Sequence, residues 1–117
     1  MIERKINILG TEYTIKEKAL KEDELLDTRD GYTDWSTREI VVRREQEWED
    51  ANLGNMEAYI RETLRHEIVH AFLFESGLDA SVNSVFGSWA KNEEMVDWFA
   101  IQGQKIYKAW QEADALD

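Results

Sequence analysis

The sequence predicts an α+β fold, and three observations predict it. Short alternating apolar segments separated by turn signals occupy roughly positions 1–50. Apolar residues at helical spacing occupy positions 55–117. The strands precede the helices and do not alternate with them, as in α+β and not α/β chains. A length of 117 residues is that of a single domain, 1–117, large enough to bury a real core.

Lys5 to Leu9 and Glu12 to Lys16 read as a hairpin around a Gly10-Thr11 turn. Ile6, Ile8, Tyr13 and Ile15 would line one face of it. Lys18 to Thr28 is charged with Leu20, Leu25 and Leu26 embedded, and reads as a short helix or a loop. Asp30-Gly31 signals a turn. Tyr32 to Trp35 and Glu39 to Arg43 read as a second hairpin, so the expected sheet is short and antiparallel. The charges flanking Ile40-Val41-Val42 point to an edge strand. Asn55 is a cap for a helix with Met56, Ile60, Leu64, Ile68, Ala71 and Phe72 on one stripe, stopped by Gly77. Residues 78–91 read as a connection containing Val82, Val85, Phe86 and Trp89, with room for one helical turn. A last helix is expected from Asn92 to Ala113, with Met95, Phe99, Ile106 and Trp110 toward the core.

Composition narrows the function. There are 14 basic and 25 acidic residues, a net charge of −11, which disfavours direct nucleic-acid binding and docking on anionic membranes. With no cysteine there is no disulfide, thiolate metal site or Cys nucleophile. Met1-Ile2-Glu3-Arg4-Lys5 leads into no signal-peptide core, and no apolar run is of membrane-spanning length, so a cytoplasmic location is expected.

The segment that carries chemistry is His66-Glu67-Ile68-Val69-His70. On a helix, positions i and i+4 share a face, so two imidazoles one turn apart can converge on one metal ion. Glu67 sits about 100° round the helix, beside that ion and not aimed at it, where a carboxylate can act as general base toward a water. Zn²⁺ suits neutral imidazole and lowers the pKa of a water toward about 7. Both histidines of the chain lie in this one motif.

A catalytic zinc needs a third protein ligand, and without another His or any Cys it must be a carboxylate. Asn92-Glu93-Glu94-Met95-Val96-Asp97 offers it. Glu93 and Asp97 are four apart on the last helix, so Glu93 can bind the metal while Asp97 accepts the outer N–H of a ligating histidine. Glu94 is the rival, one residue out of register. Glu93 is preferred because Glu93, Asp97 and Ala100 would then face the metal while Met95 and Phe99 face the core.

HExxH followed by Glu-x-x-x-Asp one helix later resembles the gluzincin arrangement of thermolysin-like peptidases. Glu93-x-x-x-Asp97-x-Phe99-Ala100 is also similar to the small, often phage-encoded metallopeptidases of the ImmA/IrrE type. The resemblance covers Leu64 to Ala100. It implies a minimal zincin-like fold, with a short antiparallel sheet beside the active-site helix. It also implies zinc ligation by the first acid of the motif, which falls on Glu93. That family's usual Asn four residues later is Asp97 here, the thermolysin-like choice. Thermolysin-like enzymes stabilise the oxyanion with a further His, which this chain lacks; Tyr32, Tyr107 and Arg65 are the substitutes at hand.

The expected function is therefore zinc-dependent peptide hydrolysis acting on a protein or peptide substrate, with His66, His70 and Glu93 as ligands and Glu67 as base. Glu39 to Arg43 is the expected edge for an extended substrate. The alternative is a catalytically weak or inactive zinc-binding module that works through protein–protein contacts. The five tryptophans, Trp35, Trp48, Trp89, Trp98 and Trp110, read as core and rim packing, and Arg43 to Glu47 as a solvated mixed-charge surface. The acidic excess reads as solubility ahead of nucleic-acid mimicry.

Overall fold

The computed structural model describes residues 2–44, 54–78 and 92–117. The fold is α+β: among the described residues, a four-stranded mixed sheet with two α-helices. Residues 79–91, with Val82, Val85, Phe86 and Trp89, lie outside the described residues, as do Trp48 and most of the Arg43–Glu47 run.

Strands β1 (Ile2–Ile8) and β2 (Thr11–Lys18) form the first hairpin. Ile8 pairs with Thr11, so the two-residue loop is Leu9-Gly10, one residue earlier than the sequence suggested. Both loop residues have positive φ, 50° and 90°, the backbone whose twist matches the flanking strands. The Gly10 amide donates to Asn7 Oδ1 at 2.8 Å and closes the turn. Ile8, Tyr13 and Ile15 are buried on one face, with Ile6 packed against them. The charged stretch that follows forms two 3-10 turns, Leu20–Glu22 and Glu24–Asp27, which bury Leu26.

The second hairpin joins β3 (Gly31–Asp34) to β4 (Glu39–Arg43). The strand order is β1-β2-β4-β3, with β2 and β4 parallel. This corrects two expectations. The sheet is mixed and not purely antiparallel, because the two hairpins dock side by side through one parallel pair. And β4 is central, not an edge. Ile40, Val41 and Val42 are all buried, and since successive strand residues point to opposite faces, both faces of β4 are covered. Its flanking charge at Glu39 is met by Lys16 of β2 at 3.1 Å and so does not signal solvent. The strand that ends the sheet on the helix side is β3.

Helix α1 (Met56–Glu75) crosses the sheet nearest β3 and β4. Asn55 caps it by accepting from the Ala58 amide at 3.0 Å, and Gly77, at φ 85°, follows its end. Ala71, Leu64 and Ile68 pack on Ile8, Tyr13, Ile15 and Ile40. Phe72, expected in the core, is exposed. Glu75, at the helix C-terminus, accepts from Tyr13 Oη at 2.7 Å and Thr11 Oγ1 at 3.2 Å and pairs with Arg38 at 3.0 Å. At the other end the Tyr59 hydroxyl donates to Asp30. The helix is thus fixed to the sheet at both ends, which fixes the phase of every side chain between them.

Helix α2 (Glu93–Glu112) starts at Asn92, whose side chain accepts from the Met95 amide at 2.8 Å. It meets α1 through Val96 and Ala100, both buried, and Arg65 Nε donates to the Ala100 carbonyl at 2.6 Å. Of the expected core stripe, Met95 and Ile106 are half-buried but Phe99 and Trp110 are exposed, and in the first turns the fully buried residues are Val96 and Ala100, one position on from Met95 and Phe99.

Candidate metal centre

Sequence-distant groups meet where α1 faces the N-terminus of α2. His66 and His70 lie one helical turn apart, with Nε2 atoms separated by 3.2 Å. Glu93 brings Oε2 to 2.9 Å from His66 Nε2 and Oε1 to 3.0 Å from His70 Nε2. Ligands about 2.0–2.1 Å from a tetrahedral ion stand roughly 3.3 Å from one another, so this spacing is that of a coordination face. His66, His70 and Glu93 form a group that could hold a metal ion.

The donor chemistry points the same way. Asp97 Oδ1 lies 2.6 Å from His66 Nδ1. A carboxylate there accepts a hydrogen bond from Nδ1–H, which keeps the proton on Nδ1 and leaves Nε2 with its lone pair. That lone pair faces a second imidazole nitrogen and a carboxylate. Acceptors converge at this distance when a cation or a proton lies among them. Glu94, the rival to Glu93, is outside the group and exposed.

Glu67 is the one buried charged residue among those described. Its Oε2 is 4.0 Å from His66 Nε2, beside the group and not part of it. Thr33 of β3 holds it: the hydroxyl lies 2.9 Å from both the Glu67 backbone carbonyl and Oε1. One hydroxyl hydrogen serves one of these at a time, so Thr33 can donate to an ionised carboxylate or to the carbonyl when the carboxyl is protonated. Burial pushes the Glu67 carboxyl above its ordinary range; Thr33 and the two imidazoles pull it back, and Glu93 adds to the rise. Thr33 carries no signal in the sequence. It is one polar residue on a short strand, and only the docking of β3 on α1 gives it a role.

These groups open onto a cleft of about 620 Å³ between α1, β3 and α2. Arg29, Tyr32, Trp35, Tyr59 and Phe74 line it with them. Of the three candidates for an oxyanion donor, only Tyr32 lines the cleft, and its hydroxyl already donates to Asp23. Arg65 does not line the cleft and its Nε donates to the Ala100 carbonyl, and Tyr107 lies far along α2 in solvent. Burial and Asp23 push the Tyr32 hydroxyl up, and Asp30 and burial push that of Tyr59 up to about 12. Trp35, Trp98 and Trp110 are each about half exposed, so of the expected core and rim packing these three are at the surface and not in the core.

No helix among the described residues is long and apolar enough to cross a membrane. No family model, no curated protein and no solved structure matches the chain.

Proposed function

We propose that the chain is a zinc-dependent peptidase in which His66, His70 and Glu93 hold the ion and Glu67 is the general base. The observation that carries this reading is the convergence of three ligand atoms within 4.8 Å beside a buried carboxylate that is not one of them. A two-His, one-carboxylate set with room for a further ligand is a catalytic zinc arrangement. A zinc held by these three residues would supply Lewis acidity toward a peptide carbonyl and a water. Glu67 accepts the proton of the attacking water and hands it to the leaving amine. Thr33 keeps the Glu67 carboxylate in place, and Asp97 keeps His66 in the tautomer that ligates. The outer side of β3, which ends the sheet among the described residues, replaces β4 as the edge on which an extended substrate would pair.

The test is metal analysis of purified protein together with peptide cleavage by wild type and Glu67→Gln. One bound zinc, cleavage by wild type and none by Glu67→Gln are expected. Iron in place of zinc would replace the metal, since the same donor set also suits Fe(II). A second reading, a zinc-stapled binding module, draws support from the Tyr32 and Tyr59 hydroxyls, both already donated to aspartates. It predicts bound zinc with no cleavage by wild type.

A further inference from the structure

Strand β3 and helix α1 run side by side. A Cβ on Gly31 would stand 3.2 Å from the Thr63 side chain, Thr33 bonds to Glu67, and Trp35, just past the strand, stacks on Phe74. The cleft between them therefore changes character along its length. Asp30, Tyr59 and Glu62 lie at one end, the two histidines in the middle, and Trp35 and Phe74 at the other.

The aromatic end is built and not incidental. The rings of Trp35 and Phe74 stand 4.8 Å apart at 20°, yet Trp35 remains 53% exposed. Arg38 holds the pair. Its guanidinium lies 5.7 Å from the Phe74 ring centroid, its Nε is 3.0 Å from Glu75 Oε1, and its Nη1 donates to the Trp35 carbonyl. Arg38 makes these contacts from a left-handed backbone, φ 57°, a conformation costly for a residue with a Cβ. An exposed indole fixed in this way loses little further freedom when something stacks on it.

We propose that the Trp35–Phe74 stack is the specificity-determining platform of the cleft and takes a large apolar or aromatic side chain of an extended peptide. Phe74 is four residues beyond His70, on the same helix face and about 6 Å further along the axis. An extended chain covers that distance in about two residues. The recognised side chain therefore lies within two residues of the bond that is cut. This rests on the peptidase reading and adds the substrate class to it.

The experiment has two arms. Zinc-loaded wild type is given a randomised peptide library and the cut sites are sequenced. Zinc-loaded Glu67→Gln is titrated with fluorescein-labelled octapeptides that differ only in Phe or Ala at a scanned position, read by anisotropy. Phe, Tyr, Trp or Leu should be enriched within two residues of the cut on one side. The Phe peptide should bind about tenfold tighter than its Ala partner. Trp35→Ser, and independently Phe74→Leu, should bring that ratio close to one with zinc content unchanged. Cleavage whose side-chain preference neither substitution moves overturns the platform and leaves the peptidase. Phe-selective binding lost in Trp35→Ser, with no cleavage by wild type, overturns the peptidase and leaves the platform. Neither binding nor cleavage of any peptide overturns both.

Discussion

Asp97 Oδ1 stands 2.6 Å from His66 Nδ1, and this contact decides which nitrogen of the imidazole faces Glu93 and His70. A histidine free to exchange tautomers would offer its lone pair to the site only part of the time. Asp97 removes that choice. Asp97→Ala should therefore weaken metal affinity by about 10–100-fold. Asp97→Asn should cost less, because an amide oxygen can still accept the Nδ1–H. Competition with a chromophoric chelator measures both. An Asp97→Ala protein with wild-type affinity would remove the tautomer argument.

Glu93 and Glu94 are neighbours with opposite expectations. Glu93 supplies one oxygen to each imidazole nitrogen, and Glu94 touches neither. Glu93→Ala should lose stoichiometric metal, while Glu94→Ala should retain it. Elemental analysis of the two purified variants decides the register of the third ligand.

Much of this arrangement was legible because it is local. The pair at 66 and 70, the caps at Asn55 and Asn92 and the stop at Gly77 follow from helical periodicity and backbone chemistry over four residues. The placement of Glu93 and Asp97 on one face follows from the same period. What sequence reasoning missed is non-local. Nothing near Glu39 indicates that Lys16 will neutralise it across a parallel pair, so the strand looked like an edge. In the first turns of α2 the buried stripe lies one residue on from the expected one, because Met95 and Phe99 are as apolar as Val96. The α1 surface selects the smaller Val96 and Ala100 for close approach. Thr33 and Trp35 matter only because β3 lies along α1.

Thr33→Val tests the support of the base without touching a metal ligand. The substitution keeps the shape and removes the donor to Glu67, leaving a buried carboxylate short of a partner at a cost of about 1–3 kcal/mol. Metal content should be unchanged, the melting temperature should fall, and kcat should fall more than KM changes. Thr33→Ser should restore most of both. Unchanged kcat in Thr33→Val would show that Glu67 needs no such support.

Asp23 governs part of the acid sensitivity. Burial pushes its carboxyl up, but the Tyr32 hydroxyl, the Leu25 amide and Lys18 together outweigh burial and hold it below the ordinary carboxylate range. A depressed folded pKa means stability that is fully present above the unfolded value, about 3.9, and lost as pH falls through the folded one. Asp23→Asn should therefore lower the urea midpoint at pH 7, and the gap from wild type should narrow below about pH 4. A gap of constant size across that range would assign the loss to packing and not to charge.

Two glycines should respond to alanine with opposite signs. At Gly31 an added Cβ would sit 2.7 Å from the Val41 carbonyl oxygen, a backbone atom of the neighbouring strand that has no rotamer to yield. β3 must move away from β4, at a cost of about 1–3 kcal/mol. Because Thr33 is two residues along the same strand, that movement also draws its hydroxyl from Glu67. At Gly103, inside α2, an added Cβ meets nothing within 4 Å, and alanine should stabilise by about 0.5–1 kcal/mol through helix propensity alone. Denaturant midpoints of Gly31→Ala and Gly103→Ala, read beside the zinc content of each, measure how tightly β3 is clamped between β4 and the base. A Gly31→Ala protein as stable as wild type would mean that the strand is looser than its contacts imply.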